Sequence, residues 1–514
     1  MGLRMGKLLI NHLIKIKMLK KTTIAFILFS LICYSQQEVC RFDIDLNNNR
    51  DIFQIVNDST KQTHLFLCDK KKINVFLLDD QMKAKDSIST TRPEKSYKDI
   101  IGYSGNKNNY NLYFANRDRD KICGININLD KRTTDKSTHQ FDFKNERFLE
   151  CFSENNKFYL MTVPVNSSVL KLYVFDKDGK IEIKNINLKS FTFFTKGDYI
   201  ANLSDVFEQT IGGLSEFESS NTIQKINTES PTSIVQTAKK RKFYSNSSEI
   251  IISLDFSMVK TQMIFIDLKT FVPRFKEFEQ KIIVGSKVKN SNSLLFENKL
   301  VQMVLSAEEM WITVKDLNNN LLKEYSANKD ADISFKNSDI VRSESSAFIA
   351  IVAERSERIL EKTDQFLKKI ARSNVGIACY AIDSNIYATV GSVAPEKNVG
   401  GGGMMGSGGF GMGAFPGMGF GNGFYFSNIY FNNVSNNYNS YGNRRVIFIQ
   451  SIFDKNFNHL EGSVKPNVFD KIKDFKGEND LPPSDETLFK LQGAYYLGQY
   501  SNLIKSFSIK KFQD

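Results

Sequence analysis

The chain has 514 residues, 41% hydrophobic and 25% charged, with 69 Lys and Arg against 57 Asp and Glu for a formal net charge of +12. That apolar content excludes an intrinsically disordered chain, and the spread of basic residues excludes a nucleic-acid footprint, which needs them clustered on one face or strip. The length suits one large repeat-built domain or a few ordinary ones.

Residues 1–35 hold six basic residues and no acidic one, and Lys20 and Lys21 stand directly before the apolar run Ile24 to Cys33. A positive segment followed by a short apolar one is the order of a secretory signal. The run reaches roughly 15 Å as a helix, whereas a bilayer core takes about twenty residues. Cys33 and Ser35, third and first before the cut, place cleavage before Gln36, and Met18-Leu19-Lys20-Lys21 makes Met18 the expected start. Acylation of Cys33 as a lipoprotein is disfavoured, because Ile32 stands where a small residue is required. Removing the signal leaves a charge of +6 and no further segment of membrane-spanning length. The expected destination is the periplasm, the outer membrane or the exterior.

Five cysteines then remain, Cys40, Cys68, Cys123, Cys151 and Cys379. Their odd number requires a free thiol or an intermolecular bond, and their pairing stays open. Cys68, Cys123 and Cys379 lie in apolar strand-like runs that read as buried thiols.

From residue 41 onward, short alternating apolar segments are broken by clusters of Asn, Asp, Lys and Gly, which is the chemistry of strands and turns. His64-Leu65-Phe66-Leu67-Cys68, Asp69 to Lys72 and Ile73 to Leu78 read as a hairpin. The same order recurs over 52–89, 98–143, 147–187, 241–279, 293–326 and 374–463, with a long strand ending in Asp and then a turn such as Asp176-Lys177-Asp178-Gly179. Lys239 to Lys242, the densest basic run, reads as a solvated approach to the next strand.

A unit of about forty residues and four strands resembles a β-propeller blade. There is no repeated Trp-Asp pair and no kelch double glycine, and Trp311 is the single tryptophan, so the resemblance is to the fold, as used by exported bacterial envelope proteins. It implies a mainly β, irregular β-propeller of six or seven blades, with blades over 36–340 and the last over 374–514. Stacked β-sandwich domains are the alternative, and 188–240 is either a further blade or an insertion.

Two segments break the pattern. Within 341–373, Ile359, Phe366 and Ile370 share one helical face, and Glu354 with Arg358 and Asp364 with Lys368 are helix-supporting pairs, so one amphipathic helix is expected. Within 398–443, thirteen glycines fall between Gly400 and Gly423 and an Asn/Tyr-rich tract follows. Such glycine density does not meet the entropy cost of a packed core, so a disordered loop is expected. Met404, Met405, Phe410, Met412, Phe415, Met418, Phe420 and Phe424 would make it an adaptable contact element. Copper binding by these methionines is disfavoured, since no histidine accompanies them.

Asp45, Asn47, Asn49 and Asp51 place oxygen side chains at alternate positions, as Ca2+ loops do. Arg50 replaces the turn glycine and Val56 the bidentate Glu, which favours a plain turn, as at Asp316 to Asn320. Outside the signal only His64, His139 and His459 are present, and no HExxH, GxSxG or GxxxxGK[ST] occurs. No catalytic residue and no cofactor is therefore assigned. The expected function is a non-enzymatic binding or scaffold protein of the cell envelope that engages a protein or glycan through propeller loops and the Gly-rich insertion, with self-association a variant. The alternative is an envelope hydrolase or lyase with its site in the propeller channel.

Overall fold

The computed structural model describes residues 37–48, 50–208, 223–257, 259–285, 290–344, 356–394, 431–441, 445–477 and 485–514. Among these, seven antiparallel sheets of at least four strands follow one another along the chain as a β-propeller. Blade 1 is Asp51–Asn57, Gln62–Cys68, Lys72–Leu78 and Ala84–Thr91. Blade 2 runs from Asp99–Asn106 to Thr133–Gln140, and blade 3 from Glu146–Glu154 to Ile181–Asn187. Blades 4 and 5 begin at Arg241–Ser245 and Asn290–Phe296 and end at Pro273–Glu279 and Leu321–Asn328. These five and the next coincide with the six units legible in the sequence.

Blades 6 and 7 are assembled differently. Blade 6 takes its first three strands in order, Asn374–Ile382, Asn385–Val393 and Val446–Asp454, but its outer strands Ile340–Glu344 and Ser356–Leu360 come from upstream. Blade 7 is Glu486–Leu491, Ala494–Ser501 and Ser506–Phe512, completed by Gln37–Asp43 from the other end of the chain. The sequence pattern did not reveal this seventh blade.

A gradient of burial orders each sheet from axis to rim. In blade 3 the second strand is buried from Phe158 to Val163, on both faces, so neighbouring blades cover it. Fourth strands are largely exposed or half-buried, as Ala84–Thr91 and Thr133–Gln140 are, and so form the rim. First strands contact one another, Asp51–Asn57 with Glu486–Leu491 and Asn290–Phe296 with Asn374–Ile382, and surround the axis. Between blades the side chains interdigitate, Phe53, Phe66 and Val75 of blade 1 with Leu112 and Phe114 of blade 2.

Four of the turns after third strands share one geometry. Asp79, Asp176, Asp316 and Asp454 each accept hydrogen bonds from backbone N–H groups two and four residues on, at 2.8 to 3.0 Å. Three residues on, Met82, Gly179, Asn319 and Phe457 have φ of 62°, 78°, 69° and 60°. Left-handed backbone costs a non-glycine residue about 1 kcal/mol, which burial of the Met82 and Phe457 side chains offsets. The Asn320 and Asn458 carboxamides, with the turn N–H groups, hold the Asp316 and Asp454 carboxyls below the usual carboxylate range.

The 188–240 stretch is an insertion, not a blade. It holds a two-stranded ladder, Phe193–Phe194 with Ile200–Ala201, helix α1 (Leu203–Glu208), the strand Gln224–Lys225 and helix α2 (Ile234–Thr237), capped by Ser233. The amphipathic helix is shorter than expected. Helix α3 spans Thr363–Ile370, burying Phe366, Leu367 and Ile370, and carries the Asp364–Lys368 pair at 2.8 Å. Ile359 instead lies 63% exposed in the Ser356–Leu360 strand, because Ile340–Glu344 offers a sheet edge whose ladder replaces a helical turn. Glu354 is outside the described residues. The expected loop 398–443 contains helix α4 (Asn433–Ser440), and helix α5 (Val468–Gly477) packs on blade 7.

The seam between blades 4 and 5 carries a buried ionic network beside its apolar contacts. Lys242 and Asp255, both with fully buried side chains, pair at 2.7 Å, and Lys242 also donates to Asn292 Oδ1 at 2.5 Å. Asp255 accepts from Thr261 and Ser293, and Asn292 donates to the carbonyls of Ala238 and Val375, which extends the network to the residue after α2 and to blade 6. Burial would raise the Asp255 pKa, but Lys242, Lys240 and these donors hold it below the ordinary value. Lys242→Met strands a buried carboxylate and is expected to cost about 3–5 kcal/mol in urea unfolding, whereas adding Asp255→Leu restores much of the loss.

Candidate functional site: a filled axial channel

The axis of a propeller is lined by the free edges of its first strands, whose N–H and C=O groups need partners. Here the chain supplies them itself. Gln224–Lys225 adds to blade 4 on the axial side, pairing in parallel with Lys242 and Phe243, and Ile226 N–H donates to Phe243 O at 2.8 Å. Residues 227–233 then cross toward blade 7, where Lys490 Nζ donates to Glu229 O at 2.8 Å.

Helix α4 fills the remaining space through side-chain hydrogen bonds. Gln54 of blade 1 donates to Asn432 Oδ1 at 3.1 Å, and Asn432 Nδ2 donates to Thr487 of blade 7 at 2.9 Å. Ser435 bonds both backbone groups of Leu488, accepting from its N–H at 2.7 Å and donating to its C=O at 3.1 Å. Asn437 accepts from Gln236 at 3.1 Å and donates to Asn227 O and Ser230 Oγ, both at 2.8 Å. Phe431 stands edge-on to Phe53 and Tyr103, with ring centroids 5.3 and 5.1 Å apart.

Besides Glu229 and Lys490, the charged groups of this region include Glu150 and Glu154 of blade 3 with Lys225. Burial pushes the Glu150 carboxyl up to about 7 against the pull of Lys225, and raises Glu154, whose Oε1 accepts from Ser245 at 2.9 Å. Burial likewise lowers the Lys225 ammonium, despite the two carboxylates. Glu150 and Glu154, four residues apart on one strand, share a face and both act on Lys225 of the added strand.

The residues singled out in the sequence fall elsewhere. Asn47 donates from both N–H and Nδ2 to Asp69, Asp51 pairs with Arg92 at 2.5 Å and Asp45 with Lys505 at 3.2 Å, so three of the candidate Ca2+ ligands face different partners. Asn49 is outside the described residues, as are Met404, Met405, Phe410, Met412, Phe415, Met418, Phe420 and Phe424. Among the described residues no group of three or more His, Cys, Asp or Glu is arranged to hold a metal. His64 is buried beside Tyr110, His139 stands edge-on to Phe175 and His459 bonds Asn337, in three separate places. The channel residues Gln54, Gln236, Asn432, Asn437 and Thr487 went unremarked, since each is an ordinary polar residue far in sequence from its partners.

The five cysteines among the described residues are free thiols, four of them buried. Burial pushes Cys379 up to about 12 and half-buried Cys40 up to about 11. The melting temperature of the 36–514 chain should therefore be the same with and without reductant, and brief alkylation at pH 8 should reach Cys40 alone.

Two groups set opposite pH slopes. Glu150, raised from 4.5 to about 7 in the fold, contributes stability that is complete below pH 4.5 and lost as pH rises through 7. His64, lowered by burial from 6.5 to about 4, contributes stability present above pH 6.5 and lost as pH falls through 4. In denaturation series from pH 4 to 8, Glu150→Gln should steepen the gain in stability with rising pH, and His64→Phe should flatten it.

No family model matches this chain, and no curated protein matches it. Solved structures give distant likenesses. An ACO/RPE65 chimera has TM-score 0.28 and 10% identity over 55% of this chain and 63% of its own. Prolyl oligopeptidase B from Galerina marginata has TM-score 0.27 and 10% identity over 69% and 46%. The WD40 domain of SCAP from fission yeast has TM-score 0.29 and 9% identity over 92% and 87%. The chain thus spans under two thirds of the first two, and at these scores no activity transfers from any of them; the propeller assignment rests on the strand pairing above.

Proposed function

We propose that the chain is an exported, non-enzymatic binding scaffold of the bacterial cell envelope, which engages a protein or glycan through its inter-strand loops and the Gly/Met/Phe-rich 398–443 region. The observation that carries this reading is the filled channel. The axial position where a propeller enzyme would need an open, charged site is taken up by residues 223–238 and α4, through carboxamide and hydroxyl contacts. Binding is then left to the surface.

Two further features support it. The signal-like segment ends directly before Gln37–Asp43, so cleavage before Gln36 leaves every described strand whole. The Gly-rich segment joins two neighbouring strands of one blade, Asn385–Val393 and Val446–Asp454, and its flanks converge on α2: Val393 packs with Ile234, and Ser440 meets Ser233 at 2.8 Å. No helix among the described residues is long and apolar enough to cross a membrane.

The test is cross-linking in intact cells of the host, with the full chain and a variant in which residues 395–430 are replaced by a short Gly-Ser linker. The expected results are a mature N-terminus at Gln36, envelope cross-links of the full chain, and their loss in the variant. A cytoplasmic unprocessed chain, or cross-links indifferent to the deletion, would overturn the proposal.

A further inference from the structure

Helix α4 is written in residues that disfavour helix. Asn-Val-Ser-Asn-Asn-Tyr-Asn-Ser has four asparagines, two serines and a β-branched valine, and the Asn432 side chain at its N-cap makes no capping hydrogen bond. Within the helix only Asn437 is fully buried. What orders it is therefore its surroundings: the channel wall, through the contacts of Asn432, Ser435, Asn437 and Ser440, and helix α5, through Val434, Tyr438 and Tyr441.

These contacts differ in kind from those that hold the blades. Neighbouring sheets are joined largely by interdigitated apolar side chains, whereas α4 meets the first strands through exchangeable polar pairs and packs its apolar side chains, Val434 and Tyr438 with Tyr441 just after, against α5 and Phe469. Its connections also leave it separable. It follows the Asn385–Val393 strand through residues 394–432 and precedes Val446–Asp454 by five residues, and it belongs to no ladder, so its departure breaks no strand pair.

We propose that α4 is a releasable strap: it leaves the channel as a unit while the seven blades stay folded. Its departure uncovers a site for an extended peptide. The N–H and C=O of Leu488, now satisfied by Ser435, are the groups with which an added strand pairs. Gln54, Gln236, Ser230 and Thr487 are carboxamide and hydroxyl partners around that edge, and Phe53 and Tyr103 offer ring faces where Phe431 now packs. The resident occupant is this chain's own 431–441, which makes the contact autoinhibitory. The strap does not depend on where the protein is located.

Ser233 and Ser440, with Oγ atoms 2.8 Å apart, give a lock. In native-state hydrogen exchange on the 36–514 chain, 431–441 should exchange at least about tenfold faster than the Asn374–Ile382 strand. Oxidised Ser233→Cys with Ser440→Cys should bring it to the strand's rate, and reduction should restore the difference. Asn437→Ala should speed exchange of α4 alone and allow a fluorescent synthetic peptide of residues 429–443 to bind in trans, which the oxidised lock should block. Exchange of α4 at the strand's rate in the parent chain, or at an unchanged rate when locked, would overturn the strap, and a peptide that binds neither Asn437→Ala nor the reduced double variant would overturn the site beneath it.

Discussion

The pairing of Gln37–Asp43 with Ser506–Phe512 is the constraint on which the rest of the ring depends. Seven sheets around an axis bury their faces only if the last meets the first, and here the outer strand of the last blade is lent by the chain's other end. Phe42 of that strand packs against Phe507 of its own blade and Phe76 of blade 1, so the same seven residues complete a sheet and cover an inter-blade core. The closing strand thereby acts on two blades at once, and opening it would expose apolar surface on both sides of the seam.

Closure of the ring in turn creates the axial problem that the insertions answer. First strands in a closed ring present unpaired edges to one another across a narrow space, too polar to stay dry and too confined for much water. The chain meets this with a parallel strand, a crossing segment and an asparagine-rich helix, all drawn from the 188–240 and 394–445 insertions. The charged groups follow the same logic. Lys225 enters with the added strand and sits near Glu150 and Glu154, which gives the buried carboxylates of blade 3 a cationic neighbour.

Much of the fold was legible because second and third strands are continuous apolar runs closed by an Asp turn. Phe158 to Val163 and Leu172 to Phe175 are buried on both faces, and Asp176 ends the run, so composition and periodicity agree. Blade 7 was not legible, because its strands lie at opposite ends of the chain and no local pattern links Gln37–Asp43 to Ser506–Phe512. Helix α4 was hidden for a different reason: Asn and Ser argue for a loop at every local scale, and only partners such as Gln236 and Leu488 make the helix favourable. The same separation hid the channel, since Gln54 and Thr487 meet across 433 residues. Ile359 misled because one apolar side chain fits a helix face and a rim strand equally well, and the open edge beside it is a tertiary fact.

The lent strand also imposes an order on biosynthesis. Gln37–Asp43 leaves the ribosome long before its partner Ser506–Phe512, so the ring stays open until that partner has been made. Until then the emerging blades carry two unpaired sheet edges and one uncovered aromatic face, the features that recruit chaperones or seed aggregates. A premature stop anywhere before the final strand leaves a product that is not a smaller propeller but an open one, and it is marked for disposal by the same exposed seam that the finished protein conceals.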